Sequence, residues 1–340
     1  MNSTRFWHAV VRSVGGIATL GCLLSGAVRA ADVADFEALR LNQLQYIGTH
    51  NSYHTRDLSK GKRGVAEWSY SHAPLDAQLD RGVRSFELDL HYRNGEFEVF
   101  HVPLLDEGTS CRRLADALGT VRRWSEAHPR HVPISILFEI KKEGPGLDRR
   151  IKHVDAAGFD RLDEVLRAGI PSERRLEPDR VRGESATLRA AIESTGWPVL
   201  AACRGKVFFI LHDDGEQRDL YTRDHASLRG RAMFVRSSPE RDDAATLVID
   251  NPRAEEIPQL ARAGFFIRTR ADAGLNAAAP GQPARRDASL ASGAHILSTD
   301  FPAGEPHAEL GYVVEFAGAA GARVNPVSGP AALRGQVVPE

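Results

Sequence analysis

The chain has 340 residues, 42% of them apolar and 26% charged, with 44 basic against 45 acidic side chains and a formal net charge of -1. That balance excludes a disordered, collagen-like or multi-span membrane protein, and a chain that holds nucleic acid through bulk positive charge. Any ligand must be recognised by a local site.

Residues 1–30 carry Arg5, Arg12 and Arg29 and no acid, with an apolar stretch at 14–28 that ends in Val28-Arg29-Ala30. Basic, apolar, then small is the order of a secretory signal, and the apolar stretch is too short for a comfortable transmembrane helix. Cleavage is expected after Ala30, leaving residues 31–340 as a single secreted or periplasmic domain without a membrane span. Cys22 follows Thr19-Leu20-Gly21, a poor context for lipid attachment, so no lipid anchor is expected there. Cys111 and Cys203 then remain in an oxidising compartment. One follows a loop and the other precedes a strand, at opposite ends of a barrel, and they are expected to stay unpaired.

Short runs rich in Val, Ile and Phe at 45–50, 85–90, 97–101, 134–140, 207–211, 232–235, 265–268 and 296–298 read as strands. Helical patterns such as 75–79 and 112–128 lie between most of them. The alternation predicts an α/β fold with a mostly parallel sheet, and the length without a central linker suits one (β/α)8-type TIM barrel. An open doubly wound sheet is the alternative. Between Leu90 and Phe97 there is no room for a crossover helix, and Asn94-Gly95 signals a β-hairpin after the second strand. In that hairpin Arg93 pairs with Glu96, Asp89 faces Phe100 and Leu88 faces His101. With the hairpin set aside, about seven parallel strands remain, so the barrel is expected to be irregular or incompletely closed. The tail from 318 to 340 reads as irregular.

Glu87 and Asp89 are two apart on a strand and share a face, which in a barrel is the interior. Two like charges there are costly unless a basic group or a cation compensates, so a salt-bridged pair and a metal site are both open readings. His50-Asn51 closes the first strand. Glu139 is a lone acid ending an apolar strand, with Lys141 on the same face. Asn51, Glu87, Asp89 and Glu139 form an all-oxygen set suited to Ca²⁺ or, less well, Mg²⁺, rather than Zn²⁺. His50 and His101 flank it as imidazoles able to exchange protons near neutral pH. Arg268 and Arg270 share a strand face and either reach a phosphate or pair with Asp272 or solvent. His54, His72, His91 and His131 are read as surface or hydrogen-bonded histidines, and Trp68 and Tyr70 as packing residues rather than lipid anchors.

Five segments resemble the calcium-dependent phosphoinositide-specific phospholipase C family, and more closely its secreted bacterial branch. They are Tyr46-Ile47-Gly48-Thr49-His50-Asn51-Ser52-Tyr53, the run 74–89 that ends in Glu87-Leu88-Asp89, Phe100-His101, Phe138-Glu139, and Ile296-Leu297-Ser298-Thr299-Asp300-Phe301-Pro302. The resemblance implies cleavage of phosphatidylinositol to diacylglycerol and a cyclic inositol phosphate by attack of the inositol 2-hydroxyl. It further implies Asn51, Glu87, Asp89 and Glu139 as calcium ligands, Glu87 also as general base, His101 as general acid and His50 as stabiliser of the transition state. Lys141, Arg268 and Arg270 are the candidate substrate-binding residues. The implied partner is a phospholipid surface, met transiently, with no nucleic acid and no protein partner. Where animal members read ring phosphates with lysines on a middle strand, Phe209-Ile210-Leu211-His212-Asp213 offers none, so a preference for polyphosphorylated headgroups is not expected.

Two other readings share part of this pattern. A glycerophosphodiester phosphodiesterase or phospholipase D-like barrel also uses Glu-x-Asp, two histidines and a metal, but follows the first histidine with Arg-Gly where this chain has Asn51-Ser52. An inactive lipid- or glycan-binding barrel would have lost a histidine or an acid, and none is missing.

Overall fold

The computed structural model describes residues 32–56, 68, 70–142, 144–272 and 282–340, so the expected signal at 1–30, with Cys22 and the cleavage site, lies outside the described residues. Eleven strands are present among the described residues: β1 (Leu44–Thr49), β2 (Val83–Arg93), β3 (Glu96–Val99), β4 (Ile134–Ile140), β5 (Ile151–Lys152), β6 (Val207–Leu211), β7 (Met233–Val235), β8 (Thr246–Val248), β9 (Phe266–Arg270), β10 (Ile296–Thr299) and β11 (Arg323–Val324). Eight of them pair in the order β7-β6-β4-β2-β1-β10-β9-β8, each neighbour parallel to the next. The end strands β7 and β8 meet through a single parallel bridge, Arg236 to Thr246, with Ser237 N donating to Thr246 O at 3.1 Å and Thr246 Oγ1 donating to Val235 O at 2.7 Å. The result is an eight-stranded parallel barrel, nearly closed, with one unsealed seam. The barrel strand missing from the sequence reading is β8, which is defined by its pairing with β9.

Outside the barrel, the helices Leu114–Ala127 and Ala156–Gly169 bury one apolar stripe each, with Leu114, Ala117, Leu118, Val121 and Trp124 on the first and Phe159, Leu162 and Leu166 on the second. The side chain of Asp155 caps the second by accepting from Gly158 N at 2.8 Å. No helix among the described residues is long and apolar enough to cross a membrane.

The Asn94-Gly95 hairpin forms in the expected register, Arg93 opposite Glu96 and Leu90 opposite Val99. The ladder stops there, so the further pairings of Asp89 with Phe100 and Leu88 with His101 do not form. His91 stacks on Phe100 at 4.0 Å, and its Nε2 lies 3.1 and 3.2 Å from the carbonyl oxygens of Phe100 and His101, which turns the chain off the ladder while keeping it beside β2. The tail is irregular apart from β11, yet it is tied down. Val324 faces Leu44 of β1, Arg84 pairs with Glu340, and Glu340 Oε1 accepts from Val132 N at 2.7 Å. Cys111 and Cys203 are free thiols.

The barrel interior is layered. At the N-terminal ends of the strands Trp197 meets Phe208, Phe234 and Phe266, and Tyr46 also meets Phe266, so aromatic rings from β1, β6, β7 and β9 plug that end. One layer up, the side chains are small: Gly48, Ser85 and Ser135, with Ser135 Oγ donating to Ser85 Oγ at 2.8 Å. These small residues leave space for the longer polar side chains at the C-terminal ends, where a barrel of this kind carries its site. A Cβ at Gly48 would lie 2.7 Å from Ser85 Cβ and 3.0 Å from Ile296 Cγ2. Gly48→Ala is therefore expected to lower stability in denaturant unfolding by about 1–3 kcal/mol; wild-type stability would show that the layer has room to relax.

Candidate functional site

Alternation on β2 sends Glu87 and Asp89 into the barrel and Phe86, Leu88 and Leu90 toward the helices. The interior direction is fixed by a contact across the barrel: Glu87 Oε2 lies 2.6 Å from Arg268 Nη2 on β9, with β1 and β10 between β9 and β2, and both side chains are 3% exposed. Arg268 also donates to Ser298 Oγ at 3.1 Å and pairs with Asp250. Burial alone would raise the Glu87 carboxyl, but Arg268 and His50 outweigh it and hold the group well below the usual carboxylate range.

His50, at the end of β1, lies beside the same carboxylate, with Nε2 3.7 Å from Glu87 Oε1 and Nδ1 2.8 Å from Asp300 Oδ1. Asp300 is shared with Arg270, whose Nη2 lies 3.1 Å from Asp300 Oδ2 and 3.3 Å from Asp272 Oδ1. Burial pushes Asp300 up, yet His50 and Arg270 together bring it down to about 2. Both arginines are thus engaged by acids of the barrel, Arg270 by Asp300 as well as by Asp272.

On the other side of β2, Asp89 stands opposite Glu139 in the β2–β4 register. Lys141 Nζ sits 3.0 Å from Asp89 Oδ2 and 3.0 Å from Glu139 Oε1, bridging the two carboxylates. Neither oxygen of the fully buried Asp89 has a directed hydrogen bond among the described residues. Burial raises Asp89, although Lys141 opposes it; burial likewise lifts Asp213 at the end of β6 to about 7 and lowers its neighbour His212 to about 4.

The segment after β1 is fastened to β2: Ser52 N donates to Glu87 O at 2.9 Å and Glu87 N to Ser52 Oγ at 2.8 Å. Asn51 takes a left-handed φ of 45°, which asparagine tolerates better than most residues, and its Nδ2 donates to the Tyr70 hydroxyl at 3.1 Å. His101 Nδ1 lies 2.8 Å from Asp106 Oδ2, and His54 Nε2 lies 2.9 Å from the same oxygen. Trp68 meets His101 edge-on at 5.4 Å and Tyr70 stacks on His54 at 4.4 Å, so both aromatics pack against the site. A cleft of about 600 Å³ opens alongside, lined in part by Tyr70, Asp300, Phe301, Glu305 and His307.

The structure therefore gathers Glu87, His50 and Arg268 into one cluster, Asp89, Glu139 and Lys141 into a second, and His101 with His54 and Asp106 into a third. Among the described residues only the last trio brings its ligand atoms within 4.8 Å of one another; Arg268 draws Glu87 to one side while Lys141 holds Asp89 and Glu139 on the other. Sequence reasoning missed Asp300, Asp106 and Asp250. Asp300 sat in the quoted 296–302 run, two residues past Ser298 on the inward parity, a signal that could have found it. Asp106 lies in a loop with no period, and only its spacing of five from His101 hinted at a contact. His54, His72, His91 and His131 are all hydrogen-bonded and buried.

The family model described as "Phosphoinositide phospholipase C, Ca2+-dependent" matches residues 39–96 and 91–326. Among solved structures, the calcium-dependent phosphoinositol-specific phospholipase C of a Pseudomonas species is 15% identical, covering 79% of this chain and 92% of its own with a TM-score of 0.54. The Ca²⁺-dependent phosphatidylinositol-specific phospholipase C of Streptomyces antibioticus is 20% identical, covering 77% and 95%, with a TM-score of 0.55. At these identities the likeness is one of fold. No curated protein matches the sequence.

Removing one partner of a buried ion pair leaves the other charge stranded, so Arg268→Met is expected to cost about 3–5 kcal/mol in chemical denaturation. Adding Glu87→Gln should restore a good part of that loss. Additive losses in the double variant would mean that Glu87 and Arg268 are not energetically coupled.

Proposed function

This chain belongs to the Ca²⁺-dependent phosphoinositide phospholipase C family, a family of phosphoric diester hydrolases, and from that premise we propose that it is an exported enzyme that cleaves phosphatidylinositol to diacylglycerol and a cyclic inositol phosphate. The observation that carries the reading is the pair of imidazoles, each held through Nδ1 by a buried carboxylate, His50 by Asp300 and His101 by Asp106. Each then presents Nε2 as its working edge. Two such imidazoles are what an internal displacement needs, one beside the phosphoryl group and one behind the leaving oxygen.

The proposed roles follow from position and charge. Glu87, kept ionised by Arg268, accepts the proton of the inositol 2-hydroxyl as that oxygen bonds to phosphorus. His50, beside Glu87 and oriented by Asp300, bears on the negative charge that develops on the phosphoryl oxygens. His101 gives its Nε2 proton to the diacylglycerol oxygen as the P–O bond breaks. Lys141, Arg268 and Arg270 are the basic side chains that would meet a substrate phosphate, and each is already paired with acids, Lys141 with Asp89 and Glu139, Arg268 with Glu87 and Asp250, and Arg270 with Asp272 and Asp300.

The donor set has the chemistry of a hard-cation site. Asn51, Glu87, Asp89 and Glu139 offer oxygen alone, and Lys141, which now bridges Asp89 and Glu139, would have to give way for those two carboxylates to turn to a cation. These four residues would hold Ca²⁺, which when bound would acidify the attacking hydroxyl and stabilise phosphoryl charge. The expected signal at 1–30 would deliver the enzyme to a phospholipid surface outside the cytoplasm, met transiently.

With phosphatidylinositol vesicles and added Ca²⁺ the protein should release inositol phosphate, and a chelator should abolish the release. Glycerol phosphate released from glycerophosphodiesters in its place would overturn the reading. His101→Ala should lower kcat by about 10²–10⁴, and unchanged turnover would remove it as general acid. Glu139→Gln should raise the Ca²⁺ concentration needed for half-maximal rate; an unaltered Ca²⁺ response would strike Glu139 from the ligand set.

A further inference from the structure

The strand that carries Glu87 and Asp89 does not stop at the rim of the barrel. β4 accompanies β2 only as far as Ile140, opposite Leu90. Beyond that rung Tyr92 and Arg93 run on, paired with Phe97 and Glu96 of β3 along one edge and with Lys152 and Ile151 of β5 along the other. The small antiparallel sheet so formed continues past the C-terminal ends of the barrel strands. At about 3.3 Å per residue, Arg93 at its tip lies about 13 Å beyond Asp89 along the strand. A flat surface approaching the mouth of the barrel on this side meets the sheet before it meets Asp89.

The connection that supplies β5 is basic. Residues 141–153 carry Lys141, Lys142, Arg149, Arg150 and Lys152 against two acids, Glu143 and Asp148. Lys141 is engaged inside the barrel by Asp89 and Glu139. Asp148 is engaged by Arg93 and Arg150, with Arg93 Nη1 at 3.1 Å and Arg150 Nη2 at 2.6 Å from its Oδ2. Arg149 and Lys152 are exposed and pair with no acid among the described residues; Lys152 Nζ donates only to Arg149 O, at 3.2 Å. Lys142, just past the end of β4, is exposed as well. Leu147 closes the single helical turn Gly144–Leu147, two residues before Arg149, and is 43% exposed.

A charge on an edge strand such as β5 discourages pairing with another chain, but an exposed leucine beside it works against that purpose. Basic side chains around an apolar one, on a projection from the mouth of the barrel, have the make-up of a surface that sits at a lipid interface. Phosphatidylinositol carries a negative charge, so a bilayer that contains it is anionic and complements these residues.

We propose that Leu147, Arg149 and Lys152 dock the enzyme on an anionic lipid bilayer, the two basic side chains at the headgroup phosphates and Leu147 in the interface, with the mouth of the barrel held over the surface. The inference rests on phosphatidylinositol as substrate and adds the part of the chain that finds the surface. Each basic residue near such a surface strengthens binding by about fivefold, so two of them make a contact that is readily reversed.

The test measures sedimentation of the full chain with vesicles, in chelator so that no divalent cation bridges protein and lipid. Phosphatidylglycerol is the anionic lipid, because it has the charge of the substrate without its inositol. The protein should bind mixed phosphatidylcholine–phosphatidylglycerol vesicles more tightly than pure phosphatidylcholine, and the difference should vanish in 1 M salt, where the Debye length is about 3 Å. Arg149→Gln and Lys152→Gln should each weaken binding to the mixed vesicles by about fivefold, and together by about 25-fold. Leu147→Ser should weaken it by about threefold or more. Turnover of a short-chain phosphatidylinositol dissolved as monomers with Ca²⁺ should stay at the wild-type rate in all of them. The charge-keeping pair Arg149→Lys with Lys152→Arg should bind as the wild type does, and a loss equal to that of the glutamine pair would overturn the proposal. Equal wild-type binding to both kinds of vesicle, or wild-type binding by the glutamine pair, would overturn it too. If the glutamine pair loses binding to heparin as well, while Leu147→Ser binds vesicles normally, the patch serves a soluble polyanion and the lipid assignment falls. Charge-dependent docking without turnover of any phosphatidylinositol would support the surface and overturn the phospholipase reading; turnover without such docking would do the reverse.

Discussion

The ion pair between Glu87 and Arg268 is the constraint on which the rest of the site depends. Two carboxylates two residues apart on one strand must both face into the barrel, and burying them without counter-charge would cost several kcal/mol each. Arg268 reaches across from β9 to one of them and Lys141 comes from the end of β4 to the other. Because the guanidinium is always protonated, Glu87 remains a carboxylate. The same pairing commits Arg268, which therefore serves Glu87 before it can serve a substrate.

The lower layers of the barrel exist in a form that makes this pairing possible. The aromatic plug of Trp197, Phe208, Phe234 and Phe266 supplies apolar burial and closes the end away from the site. Above it Gly48, Ser85 and Ser135 occupy little volume, so the long arginine and glutamate side chains can meet over the centre. Packing at native density leaves no slack for a larger residue there. The fold, the void it leaves and the charge it admits are one problem in side-chain volume.

Each imidazole of the site is then oriented by a different device. His50 is held by Asp300 within an ionic chain that continues to Arg270 and Asp272, all on barrel strands or their ends. His101 lies on a loop and is held by Asp106, itself steadied by the buried ring of His54. A loop residue lacks the precision of a strand residue unless packing supplies it, and the stack of Tyr70 on His54 supplies it here.

Much of this was legible in the residues. Period-two alternation placed Glu87 and Asp89 on one face, the Asn94-Gly95 turn set the hairpin register, and the runs at 134–140 and 207–211 became strands with those bounds. Local rules were sufficient because each of these features is decided by neighbours in the chain. The eighth strand was not legible, since Thr246–Val248 becomes a strand only through its pairing with β9. Nor were the partners of the site residues, for Glu87 and Arg268 are separated by 181 positions and His50 and Asp300 by 250. What the sequence by itself determined is which side chains enter the barrel and what donor chemistry they bring; which of them touch, and so which acid is ionised and which edge of each imidazole is exposed, was decided by the tertiary structure, because closing the barrel is what brings distant strands face to face.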